Sequence, residues 1–216
     1  MNKPPLLALL AALSLPLCGS AADFTSLRPC VRANAMGTAF ATVTEDACAV
    51  FYNPANLTTL ANLEVRLETG RRLALAAPEG EVSFAYIRPA PDVAHKVAGL
   101  GYYSVRQKGG FGLDSMVFSL GSRTIIKYLQ KPVFYGVGVK IMSLRGPEKS
   151  HLGLGVEGGA QLETTSGLRT ALTLSDALFG MGKSLTTITL GNSYRIKNTL
   201  LLADLRARGS YSEFFF

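Results

Sequence analysis

A few stretches carry residue types whose spacing suggests chemistry. Gly153-x-Gly155-x-x-Gly158 has the spacing of a dinucleotide loop, in which glycines let backbone N–H groups approach a pyrophosphate at a helix N-terminus. That chemistry needs a strand before the glycines and a helix after them. Here they lie inside one alternating run and lead into Ala160-Gln161-Leu162-Glu163, so they read as gaps on a crowded inner face. "ALFGMGKS", 177–184, resembles a phosphate loop, but Ala177 stands at the first glycine's place and no helix-forming run follows. It reads as a turn between strands. Ser150 and His151 are a nucleophile and a base by type, yet adjacent strand residues point to opposite faces and cannot act together. No serine occupies a Gly-x-Ser-x-Gly elbow. His95 and His151, the only histidines, sit beside turns with no cysteine or acid at ligand spacing. These patterns predict a non-enzyme, with no catalytic residue, cofactor or metal.

The N-terminus points to export. A polar, positive start (Asn2, Lys3) precedes an apolar run from Leu6 to Leu17 and then Gly19, Ser20, Ala21 and Ala22. This is the layout of a secretory signal peptide, too short to span a membrane as a helix. Cleavage after Ala22 places Ser20 at the minus-three position. Lipidation of Cys18 is the weaker alternative, because Leu17 stands where a small residue is expected. Cleavage leaves about 194 residues, enough for one domain with a core. Two cysteines remain, Cys30 and Cys48; an oxidising compartment allows a disulfide between them, and two buried thiols are the other reading. The net charge of +7 includes Lys3 and is scattered rather than clustered. With export, that argues against nucleic acid and for anionic lipid headgroups.

The elements that would position any site are strands. From about residue 62 the apolar period is two. Val133, Tyr135, Val137, Val139 and Ile141 alternate with Gly136, Gly138 and Lys140. Leu152, Leu154, Val156, Ala160 and Leu162 alternate with Gly153, Gly155, Glu157, Gly159, Gln161 and Glu163. Leu63, Val65 and Leu67 alternate with Glu64, Arg66 and Glu68, and similar runs cover 80–88, 97–106, 114–122, 167–176, 185–196 and 199–208. Turn residues separate them at Pro89-Ala90-Pro91-Asp92, Lys108-Gly109-Gly110, Arg145-Gly146-Pro147-Glu148, Gly180-Met181-Gly182 and Lys197-Asn198. The expectation is an antiparallel meander of about nine strands. One face is aliphatic, the other mixes glycine, glutamate, glutamine, threonine and lysine. A soluble sandwich would turn the aliphatic face inward and an outer-membrane barrel would turn it outward; periodicity alone does not separate them. Tyr102, Tyr103, Phe134, Tyr135, Tyr194 and Tyr211 suit interfacial girdles, whereas the lack of tryptophan does not.

Residues 24–60 differ, being rich in alanine with Gly37 the only glycine. Asp46 is placed to cap a short helix from Ala47, and Pro54 to close it or begin the next turn. Asn53 has an amide able to bond nearby backbone. Compact backbone of this kind is a plug inside a barrel, or an N-terminal cap on a soluble fold. Contacts holding it would bring Asp46 and Asn53 to inner lysines or arginines, beside a network of Glu157, Gln161, Glu163, Lys140 and Glu81.

The run "LRPCVRANAMGTAFATVTEDACAVFYNPANLTTL" resembles the N-terminal signature of FadL-like outer-membrane barrels, most closely their PorV/PorQ-type branch. Arg32-Ala33, Ala35-Met36-Gly37, Ala39-Phe40, Asp46, Ala49, Asn53-Pro54-Ala55 and Leu57 carry the likeness; "YGVGVKIMSL" and "LTTITLGNSYRIKNTLLLADL" are weaker echoes. The resemblance implies an all-β, antiparallel up-and-down transmembrane barrel with an N-terminal helical hatch, and hatch residues Gly37, Asp46, Asn53, Pro54 and Ala55. It implies passage or presentation of hydrophobic compounds, or docking of exported proteins, in the outer membrane and in contact with its lipid. Family barrels are longer, so the expectation is a shortened barrel of about eight to ten strands, or a truncated chain. The expected division is 1–22 signal, 23–61 hatch and 62–216 strands.

Overall fold

The computed structural model describes residues 28–43, 46–71, 78–90, 95–126, 130–165, 167–179, 186–208 and 211–215, with backbone alone for 78–79, 165, 178–179 and 211–215. The signal segment, Asp92, the Gly180-Met181-Gly182 turn and Phe216 lie outside the described residues.

The strands are β1 (Glu64–Gly70), β2 (Pro78–Pro89), β3 (Lys96–Gln107), β4 (Phe111–Ile126), β5 (Lys131–Arg145), β6 (Ser150–Thr165), β7 (Leu168–Phe179), β8 (Thr187–Ile196), β9 (Thr199–Arg208) and β10 (Tyr211–Phe215). They form one sheet in chain order, each antiparallel to its neighbours. The fold is all-β and up-and-down, with ten strands where periodicity suggested about nine. β10 is the addition: a short Tyr-Ser-Glu-Phe-Phe strand gives too few alternations to read. β1 and β10 form no ladder with each other among the described residues, so the sheet is open. The turns fall where glycine or a tolerant residue takes positive φ, at Gly109 (91°), Gly110 (81°) and Lys197 (52°). No helix among the described residues is long and apolar enough to cross a membrane, which says nothing of crossing by strands.

The sheet has inverted polarity. Its outer face carries Val65, Leu67, Met116, Phe118, Leu120, Val137, Val139, Ile141, Leu152, Leu154, Leu172, Leu190 and Leu205, all exposed; Val137 is 62% exposed. The inner face is covered by residues 28–60. Under β2–β4 that contact is apolar: Phe40, Val50 and Leu57 of the segment share a buried cluster with Ile87, Tyr103, Val105, Leu113 and Val117. Each such buried side chain contributes about 1.5–3 kcal/mol. Across β5–β9 the inner face is polar and still buried, with Lys140, Glu157, Gln161, Thr173, Asp176, Thr189, Ser193 and Asp204.

The aromatic expectation needs correction. Tyr102, Tyr135 and Tyr194 face outward, but Tyr103 and Phe134 are buried on the inner face. Neighbours along a strand alternate, so Tyr102-Tyr103 and Phe134-Tyr135 each supply one outer ring and one inner ring.

Candidate functional site: the N-terminal segment against the inner sheet face

The segment is built by local capping. α1 (Val31–Ala35) ends at Met36, and Gly37 follows with φ 60°, the left-handed stop that glycine takes without a Cβ penalty. Two 3₁₀ turns come next, Ala47–Phe51 and Pro54–Thr59. Asp46 and Asn53, both extended, head them; the Cys48 N–H donates to Asp46 at 2.9 Å and the Ala55 N–H to Asn53 at 3.0 Å. Pro54 sits at the first position of its turn, where its missing N–H costs nothing. Cys30 and Cys48 are joined by a disulfide, with Cα atoms 6.3 Å apart. Two buried amides fasten the intervening loop: Asn53 Nδ2 donates to the Ala41 carbonyl at 2.7 Å, and Asn56 Nδ2 to Ala41 and Val43 at 3.0 and 2.8 Å. The Phe40 and Tyr52 rings pack tilted at 5.0 Å.

A row of glycines receives the Asn53-Pro54-Ala55 turn. Gly121, Gly136 and Gly159 are direct register partners across β4, β5 and β6. A Cβ on Gly121 would lie 2.8 Å from the Pro54 oxygen, and one on Gly159 would collide with Asn53 Oδ1. Here glycine serves close approach of backbone to backbone.

Three polar attachments surround this shelf. On β1, Arg66 Nη1 reaches both Asp46 oxygens at 3.0 Å, and Arg32 Nη1 reaches Asp46 at 2.8 Å. Glu68 accepts from Arg66 Nε and the Val31 N–H, and Glu64 from the Ala47 N–H. On β9, Asp204 Oδ2 accepts from the Phe40 and Ala41 N–H groups at 3.0 and 3.1 Å. The third is a buried charge cluster. Lys140 of β5 donates to Glu157 of β6 at 3.0 Å and to Asp176 of β7 at 2.7 Å, while Arg28 pairs with Asp176 at 2.5 Å and donates to Ser175 at 2.9 Å. Arg28 Nη1 lies 4.0 Å from Glu157. Burial works against the Arg28 charge, but the Asp176 and Glu157 carboxylates outweigh it and raise its pKa.

A bulge makes that cluster possible. Val156 pairs with Ala177 and Gly158 with Leu174, so Ser175 and Asp176 together oppose Glu157. Asp176 takes φ 56°, and both residues point inward. A regular strand would send one of them outward; the extra residue re-aims the carboxylate.

The residues expected at the site meet different partners from one another. Asp46 reaches basic groups, Arg32 and Arg66. Asn53 instead meets the Ala41 carbonyl, the Ala55 N–H and the Asn56 side chain. Pro54 and Ala55 are buried on the glycine row. Of the inner network, Lys140 and Glu157 pair; Glu163 pairs with Arg169 at 3.5 Å, and buried Gln161 has neither end satisfied. Gly153, Gly155 and Gly158 lie within β6. His95 accepts from Arg123 Nε at Nδ1, 2.7 Å. Cys30, Cys48 and Glu68 place ligand-type atoms within 4.8 Å, but both sulfurs are spent in the disulfide. Sequence reasoning missed Arg28, Asp176 and Asp204. The signal for Asp176 was the slipped alternation in "LTLSDALF", where Ser175-Asp176 puts two polar residues between outward Leu174 and Ala177.

Set beside known protein families, characterised proteins and solved structures, the chain matches none.

Proposed function

We propose that this is an exported outer-membrane β-barrel protein of FadL/PorV type, with residues 28–60 as a hatch against the inner wall. It passes or presents hydrophobic compounds, or docks exported proteins, without catalysis. The observation that carries this reading is the inverted polarity: an aliphatic outer face over a buried inner face rich in charge, amide and hydroxyl. A water-facing sheet would place those faces the other way; a lipid-facing one needs them as they are. β3–β9 each have 10–16 residues, and about 9–11 tilted residues cross a bilayer. On this reading the β1 and β10 edges are paired in the membrane, because lipid satisfies no free backbone groups.

The mechanism is displacement of the hatch. Its contacts with the wall are polar and countable at Asp46, Asp204 and Arg28, and its tightest seat is the glycine row. A ligand or partner that replaces some of these contacts opens a path along the inner wall.

Membrane fractionation with a heat-modifiability gel tests the reading. The mature protein is expected in the outer-membrane fraction, with a mobility that changes on boiling. Release with the periplasmic fraction and unchanged mobility would overturn it, in favour of a soluble periplasmic β-protein holding an apolar ligand.

A further inference from the structure

Several buried and half-buried charges are matched in pairs. Lys140 and Arg28 face Glu157 and Asp176; Arg66 faces Asp46 and Glu68; Arg106 faces Asp114 at 2.8 Å. A hollow at one end of the sheet departs from that pattern. At the end of the sheet formed by the β6–β7 and β8–β9 turns, a cavity of about 300 Å³ is lined by Glu163, Arg169, Ser193, Arg195 and Lys197, with Gly167 and Leu200. Three cations meet one carboxylate.

Register explains the convergence. Glu163 stands opposite Arg169 on β6 and β7, and Arg169 opposite Ser193 on β7 and β8. The Arg195 N–H donates to the Gly167 carbonyl at 2.9 Å, which closes β8 against the β6–β7 turn. Arg169 and Arg195 share the inner side with buried Ala171 and Ser193, as diagonal neighbours on adjacent strands, about 7–8 Å apart at Cα. Lys197, with φ 52°, ends β8 at the same mouth. Such like charges repel unless an anion or the lone Glu163 lies between them, and the Glu163–Arg169 pair is long and part-exposed. A second hollow of about 410 Å³ at this end is lined, among the described residues, by His95, Lys96 and Arg123 and by no acid.

We infer that the cavity between Arg169, Arg195 and Lys197 is a binding site for a phosphomonoester dianion. The excess of two positive charges matches a group carrying about −1.5 to −2 at neutral pH, where a single carboxylate would leave one cation uncompensated. Ser193 adds a hydroxyl, and the two guanidinium forks suit tetrahedral oxygens. The site goes beyond the proposed function and does not depend on it: it asks only that the inner mouth be open to solvent. The phosphate can be free or the headgroup of a lipid.

The test is calorimetric titration of the full mature protein in detergent at low salt. The probes are inorganic phosphate and, separately, dihexanoyl phosphatidic acid. Saturable binding of either supports the site. Tighter binding of the lipid assigns a headgroup; equal binding assigns free phosphate. R195Q and K197Q should each weaken binding about tenfold, and E163Q should tighten it several-fold. Lys197 is an exposed turn residue, so K197Q reads the site even if R195Q folds poorly. No saturable binding of either probe, or binding indifferent to K197Q and E163Q, would overturn the proposal. The heat-modifiability result stands independently of these outcomes.

Discussion

Gly136 lies under Pro54 with no room for a side chain: a Cβ built on it would stand 2.5 Å from the Pro54 carbonyl carbon and 2.7 Å from the Ala55 nitrogen. Both atoms are backbone and neither can swing aside. Gly136→Ala should therefore unseat the turn or strain the strand, destabilising by about 1–3 kcal/mol. Gly80→Ala, where nothing lies within 4 Å, should be neutral or slightly stabilising. Denaturant midpoints of the two variants in detergent decide this. Equal midpoints would mean the segment does not rest on the glycine row.

The buried cluster of Arg28, Lys140, Glu157 and Asp176 sets two positive against two negative charges, and buried Arg208 also attracts Asp176. Lys140→Met removes the cation that Glu157 and Asp176 share and should cost about 3–5 kcal/mol. Removing Glu157 as well, as Lys140→Met with Glu157→Gln, leaves Arg28 facing Asp176 and should recover most of that loss. A double-mutant cycle on unfolding measures the coupling, and additive effects would contradict the contact.

Asp46→Ala removes the cap on Cys48 and the shared partner of Arg32 and Arg66, while Asn53→Ala removes the tie to the Ala41 carbonyl. Each should cost about 1–3 kcal/mol, because buried partners are left unmade. If the segment gates a path, both variants should also raise uptake of hydrophobic probes in whole cells. Unchanged uptake at normal protein levels would leave the two residues only a structural part.

Val139 is exposed midway along the outer face of β5. On the membrane reading Val139→Lys should oppose insertion by about 2–4 kcal/mol and lower the amount of heat-modifiable protein. In a water-facing sheet the same change would be tolerated or would improve solubility. Quantifying folded protein in the outer-membrane fraction separates the two.

Cys30 and Cys48 close a loop with a sequence separation of 18. Replacing both by serine should lower stability by about 3 kcal/mol. Its mark should be faster proteolysis within 28–60 while the strands stay protected. Uniform loss across the chain would mean the segment and sheet unfold together.

The strands were largely legible because alternation is a local property. The run 199–208 coincides with β9, and 97–106 differs from β3 by one residue at each end. Which face would be covered was not legible, since a period of two is the same viewed from either side. Only the position of Phe40, Val50 and Leu57 over the inner face resolves it. The cap at Asp46 also followed from residue type and position, and for Asn53 so did a side-chain bond to nearby backbone. Their partners did not: Arg66 meets Asp46 through tertiary placement, and Asp176 reaches Lys140 through a bulge that breaks the alternation on which strand reading depends. Arg28 lies in the stretch just before α1, where nothing local indicates a partner in β7, 148 residues away.

The disulfide joins two parts of the N-terminal segment and ties it covalently to no strand. Among the described residues, the only covalent route from segment to wall is the passage through Leu60 into β1. Shape and seat are thus held by different kinds of force. A covalent bond constrains the insert's own form. Its position rests on ion pairs, hydrogen bonds, apolar burial under β2–β4 and van der Waals contact with bare glycine, all of which exchange reversibly. On the hatch reading, the insert can leave its seat without being unmade, as a stopper keeps its form in or out of the bottle.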